Sequence, residues 1–168
     1  MMRTEAILPV REQVPGERFN VGDRIKVVEL RVDRGPRGPQ ILVSRSHPDL
    51  IRLLFEQEVP EISDHTIEIV NIAREPGVRS KVAVKSTNPR VDPVGTCVGF
   101  KGSRIRPIID ELRAERIDLV PYNDDFIKYI SSALTPAKVL GVNIISAGEV
   151  KQTEVTVADD QLALAIGK

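Results

Sequence analysis

The segment "VGFKGSR" (residues 98–104) sets two glycines three apart around an aromatic residue and a lysine, with a serine and an arginine directly behind them. Upstream, "VDPVGTCV" (91–98) reads as a short helix. Asp92 before Pro93 is a start signal, and Gly99 stops the helix after about two turns. Downstream, Ile105, Ile108, Ile109 and Leu112 fall at i, i+3, i+4 and i+7, the period of a second amphipathic helix. Pro107 inside it deletes a backbone donor, which implies a shifted helix start. The glycines therefore form a helix–turn–helix joint. Without Cβ atoms they let a nucleic-acid backbone approach main-chain N–H groups, the next helix opens with unpartnered donors, and lysine adds a point charge. Phosphates fit that chemistry.

Outward from the joint, the first 45 residues alternate β-rich runs ("AILPV", "DRIKVVELRV", "PQILVSR") with Pro- and Gly-bearing turns, the pattern of a small β unit. At "SHPDLIRLLFEQEV" the period becomes helical, with Ser46 as the expected cap and Leu50, Leu53 and Leu54 on one face. "HTIEIVNIA" and "RSKVAVKS" read as strands joined by "REPGV". In the second, Val82 and Val84 point one way and Arg79, Lys81 and Lys85 form an exposed face the other way. After the joint come a strand ("RIDLVPY"), a helix ("DDFIKYISSAL"), two strands ("KVLGVNIIS", "TEVTVA") and a final helix ("DDQLALAIGK"). The order helix, strand, strand, helix occurs twice. A shift of 68 residues places Asp92 on Asp160, Val94 on Leu162, Val98 on Ile166 and Gly99 on Gly167.

The formal net charge is zero, yet between Arg74 and Arg106 eight basic residues face only Glu75 and Asp92, a local excess of six. A charge-segregated chain of this kind is expected to present a phosphate-attracting surface. One cysteine excludes an internal disulfide, and with only two histidines a zinc site from this chain is not expected. His47 and His65 read as capping or surface residues, and Cys97 as a small buried apolar residue with no histidine or acid placed to activate it. No acid–base, nucleophile or metal constellation stands out, so the expectation is a non-enzymatic protein without a cofactor. Neither a leader nor a run of eighteen apolar residues is found, so a soluble, cytoplasmic protein is expected.

Nucleotide loops can be tested directly. A Walker loop counted from Gly95 meets Phe100, Lys101 and Gly102 where glycine, lysine and Ser/Thr are required, and a dinucleotide fingerprint meets Cys97 at its second glycine. "GFKG" between two helices instead resembles the Gly-x-x-G loop of KH domains, which clamps the backbone of about four nucleotides while the bases lie along a hydrophobic groove. The element order resembles the type II, prokaryotic form.

"HPDLIRLLFEQEVPEI", "IEIVNIAREPGVRSKVAV", "DPVGTCVGFKGSRI", "ERIDLV" and "QLALAIGK" resemble the central region of the bacterial transcription elongation, termination and antitermination factors of the NusA family. The resemblance covers nearly the whole chain. It implies an α+β architecture: the last three strands of an oligonucleotide-binding (OB-type) β-barrel over 1–45, a first type II KH domain over 46–122, and the first half of a second over 123–168, cut at its own Gly-x-x-G loop. It implies single-stranded RNA binding in transcription elongation, pausing, termination and antitermination, with nascent RNA, RNA polymerase and other transcription factors as partners and no membrane. Residue by residue, it implies RNA contact by Gly99, Phe100, Lys101 and Gly102, with Ser103 and Arg104 opening the helix behind them and Ile105 toward the groove. Gly167 and Lys168 match the start of a second clamp, and the strand face of Arg79, Lys81 and Lys85 is a further candidate. A KH-fold protein-interaction scaffold and another two-KH RNA-binding protein, such as a ribosomal component, stay open as alternatives.

Overall fold

The computed structural model describes residues 5–35, 38–113, 115–147 and 151–167. The chain folds as α+β. β1 (Ala6–Ile7), β2 (Val28–Gly35) and β3 (Gly38–Ser44) form an open three-stranded sheet in the order β1-β3-β2. β2 and β3 are antiparallel, and β1 lies parallel to β3.

The next unit runs α1 (Asp49–Glu58), α2 (Pro60–Ser63), β4 (Ile67–Glu75), β5 (Arg79–Ser86), α3 (Pro93–Val98), a 3-10 turn (Phe100–Gly102), α4 (Ile105–Glu111) and β6 (Arg116–Pro121). Its sheet has the order β4-β5-β6, antiparallel at the first ladder and parallel at the second. A parallel ladder needs a crossover, and α3 and α4 supply it. The core is aliphatic. Leu50, Ile51, Leu54 and Phe55 of α1 meet Ile67, Val82 and Val84 of the sheet, Cys97 of α3, and Ile108 and Leu112, the latter just past the end of α4. Each such side chain, fully buried, contributes about 1.5–3 kcal/mol.

Two local expectations for α1 are corrected. Ser46 does not cap the helix; Ser44 Oγ accepts from the Ser46 and His47 N–H groups (3.1 and 2.9 Å), turning the chain two residues earlier. Leu53 is 39% exposed, and Ile51 and Phe55 complete the buried face instead.

The second unit repeats the order with α5 (Phe126–Ala133), β7 (Val139–Ala147), β8 (Lys151–Val157) and α6 (Leu162–Ile166), which follows a 3-10 turn over Asp159–Gln161. Asp125 caps α5 by accepting from the Ile127 and Lys128 N–H groups (3.0 and 3.3 Å). Asp160 does not copy the capping role of Asp92: Gln161 takes the cap position of α6 and makes no side-chain capping bond.

Buried ion pairs join the parts. Arg45, 1% exposed, lies between Glu17 (2.5 Å) and Glu111 (2.9 Å), tying the N-terminal segment to the end of α4. The Phe19 ring is shared by Arg45 and Arg113, whose guanidinium carbons lie 5.4 and 4.9 Å from its centroid. Glu115, whose side chain is wholly buried, accepts from Arg74 (both contacts 2.9 Å), Ser80 Oγ (2.6 Å) and the Gly77 N–H (2.9 Å), locking the β4–β5 turn onto the start of β6. Burial alone would raise the Glu115 pKa. The bonds from Arg74, Ser80 and Gly77 outweigh it and hold the carboxyl below its usual range.

A candidate nucleic-acid interface

Asp92 accepts from the Val94 N–H (3.1 Å) and starts α3 with Pro93 in the first turn, as the sequence predicts. α3 ends because Gly99 takes φ 73°, ψ 169°. A side chain would be strained there, and it would also collide: a Cβ would sit 2.8 Å from Arg104 Cγ and 2.9 Å from Ser103 Oγ. The chain then tightens into the 3-10 turn. Lys101 is left-handed (φ 50°, ψ 32°), Gly102 follows at φ 78°, and the Gly102 and Ser103 N–H groups donate to the Gly99 and Phe100 carbonyls at 3.0 and 3.1 Å. The N–H groups of Phe100 and Lys101 precede the first bond of this turn, so they have no acceptor inside it.

Pro107 is compatible with this geometry. It falls within the first turn of α4, where its missing N–H has no intrahelical acceptor to lose.

Four side chains define the exposed surface of the joint. Phe100 is 82% exposed. Lys101 is exposed beside it, with Nζ 5.4 Å from the ring centroid. Ser103 is exposed as well. Arg106 lies against Gly102, since a Cβ there would be 3.4 Å from Arg106 Nε. Arg106 is missing from the residues singled out by the Gly-x-x-G pattern; its position four residues after the second glycine, one helical turn on, is the signal that finds it.

Arg104 and Ile105 turn inward. The Arg104 guanidinium donates to Glu61 (2.8 Å) and to the Thr96 carbonyl (3.0 Å), pinning α3 to α2, and Ile105 packs half-buried against the core. Cys97 is fully buried beneath the joint. Burial chiefly, aided by Glu61, pushes its thiol up to about 11, so it is no nucleophile at neutral pH.

The exposed strand face of Arg79, Lys81 and Lys85 is corrected: all three are half-buried and internally partnered. α5 lies over this side of the sheet, which is why Ala83 between them is only 3% exposed. Arg79 pairs with Asp118 (2.6 Å). Lys81 Nζ donates to the Ala133 carbonyl at the C-terminus of α5. Lys85 approaches Asp124 (3.5 Å) and the Tyr122 ring, which packs on Tyr129 of α5 with centroids 5.1 Å apart. The local excess of six charges is likewise largely neutralised, because Glu61, Glu115, Asp118 and Asp124 enter from outside the stretch. Arg90, Lys101 and Arg106 remain exposed, their side chains with neither a carboxylate nor a carbonyl partner among the described residues.

Gly167 closes α6 in the left-handed region (φ 87°, ψ 25°), its N–H bonded to the Ala163 and Leu164 carbonyls (3.1 and 3.2 Å). Gly167 and Ile166 share a cleft of about 510 Å³ with Arg79 and Lys81, so the fold brings the end of α6 to the basic strand. Lys168 lies outside the described residues. Among the described residues no group of three or more His, Cys, Asp or Glu side chains could hold a metal ion, and no helix is long and apolar enough to cross a membrane.

Two family models match the chain: the NusA-like first KH domain over residues 45–122 and the NusA-like second KH domain over 127–168. The chain is 51% identical over 166 residues to the transcription termination/antitermination protein NusA of Halalkalibacterium halodurans, covering 99% of this chain and 43% of the relative. The protein of the same name from Bacillus subtilis is 51% identical over 166 residues, with 99% and 44% covered. That of Thermus thermophilus is 48% identical over 165 residues, with 98% and 42% covered. The chain thus spans less than half the length of these relatives.

Proposed function

This chain belongs to the NusA family, and we propose that it is a single-stranded RNA-binding module acting in transcription elongation, pausing, termination and antitermination. It works by holding nascent transcript near RNA polymerase in the cytoplasm, together with other transcription factors. Its work is binding rather than catalysis. The observation that carries this reading is the joint at 99–102: two glycines at positive φ, two N–H groups with no acceptor inside the turn, and exposed Lys101 with Arg106 behind it. A phosphate at the joint would accept from the Phe100 and Lys101 N–H groups and meet the Lys101 ammonium. The chain's division into barrel strands (1–45), first KH unit (46–122) and second KH unit (123–168) belongs to the same reading. Gly167 and Lys168 would start a second clamp.

Arg104 and Ile105 support the clamp from behind rather than touching RNA, since both are engaged with the protein interior. Lys81 serves first to seat α5, Arg79 to pair with Asp118 of β6 and Lys85 to pair with Asp124, and RNA contact is limited to Arg79 and Lys81 in the cleft beside Gly167. Titrating the chain with a single-stranded oligoribonucleotide at several salt concentrations tests the reading. For a clamp of about four nucleotides the logarithm of affinity should fall with that of salt at a slope of about −2 to −3, given about −0.7 per phosphate. A flat response contradicts phosphate recognition.

A further inference from the structure

We propose that the Phe100 ring is a stacking platform for one nucleobase, so that the joint takes hold of a base as well as phosphates. This rests on the RNA-binding reading above. The chain has four phenylalanines. Phe55 is wholly buried, Phe19 is shared by Arg45 and Arg113, and Phe126 is half-buried at the start of α5. Phe100 alone among them is thrust into water, 82% exposed, and packing of the fold does not account for it. The backbone beneath it forms a defined turn: glycines at positive φ flank it, Lys101 is left-handed, and the Ser103 N–H bonds to the Phe100 carbonyl at 3.1 Å.

The backbone already presents the ring to solvent, so no rearrangement of the turn is needed on binding, which favours its use as a platform. Lys101 Nζ stands 5.4 Å from the ring centroid, so a cation sits over one face and leaves the other to a base. A nucleotide whose phosphate meets Lys101 also carries its base within reach of this ring. Stacking needs only a π-face and tolerates any base, so the ligand class is single-stranded nucleic acid without strict sequence. The aliphatic core and the scarcity of aromatics leave few other surfaces in the chain able to do this.

The test compares oligoadenylate of about eight nucleotides with an abasic ribose-phosphate oligomer of equal length, which has the same phosphates and no bases. The full chain should bind oligoadenylate at least about fivefold tighter. Phe100→Leu should lose at least about fivefold on oligoadenylate and stay within about twofold on the abasic oligomer. Phe100→Trp should keep the preference. Because the chain contains no tryptophan, its indole is a single reporter that oligoadenylate should quench and the abasic oligomer should not. Thermal melts of each variant confirm that the fold is retained. If Phe100→Leu keeps full affinity for oligoadenylate, or the indole responds equally to both oligomers, stacking is overturned while phosphate binding stands. If the folded wild-type chain binds neither oligomer, both readings fall.

Discussion

Replacing Arg45 with methionine removes a guanidinium that donates to both Glu17 carboxylate oxygens (2.6 and 2.5 Å), to Glu111 Oε1 (2.9 Å), and to the Lys26 and Glu111 carbonyls (2.6 and 3.0 Å). The two carboxylates then fare differently. The Glu111 side chain is 23% exposed and can turn to water, but that of Glu17 is 4% exposed and is stranded as a buried charge. Stranding one member of a buried pair costs about 3–5 kcal/mol. That is at least about a fifth of the stability of an ordinary domain, about 5–15 kcal/mol. Urea unfolding should therefore show a large drop in midpoint at unchanged slope. The double variant Arg45→Met/Glu17→Leu removes the stranded charge and should regain at least about 1–2 kcal/mol of the loss. A single-variant loss below about 1 kcal/mol, or no recovery in the double variant, would refute the stranded-charge account.

Acid should weaken the fold through Glu115. Its pKa in the folded chain lies below the unfolded value of about 4.3, so its contribution is complete above that pH and is lost as pH falls through the folded value. Glu115→Gln should show a shallower loss of melting temperature over that window, and parallel curves for the two proteins would contradict this. Lys81→Met keeps the stem over the sheet but removes the donor to the Ala133 carbonyl, a bond worth about 1–2 kcal/mol at a helix C-terminus. Amides of α5 should exchange faster while those of α4 do not change; acceleration confined to β5 would show that Lys81 does not hold α5.

What could be read from the sequence was what depends on neighbours in the chain. Asp92 beside Pro93, the two glycines around Phe100 and Lys101, and the Ile108–Leu112 spacing state their own conformations, because caps, positive φ and helical faces are local. Leu53 departs from the expected face because the three leucines share a helical spacing that Ile51 and Phe55 complete instead. The ionic partners were hidden for a different reason. Arg45 finds Glu111 across 66 positions, Arg104 finds Glu61 across 43, and Arg74 finds Glu115 across 41. Local charge counting cannot see such pairs, so it overstated the basic surface and took Arg79, Lys81 and Lys85 for an open face when α5 covers it.

The central claim is that the 99–102 joint holds RNA, and the double variant Phe100→Asp/Lys101→Asp tests it most directly. Both positions are exposed, so the fold should survive, with a melting temperature close to that of the wild-type chain. Two carboxylates would then stand where the proposed clamp would hold phosphates, and the lysine charge would be gone. The account predicts at least a roughly tenfold loss of affinity for single-stranded RNA, the equivalent of about 1.4 kcal/mol. Unchanged affinity in a folded double variant would contradict it.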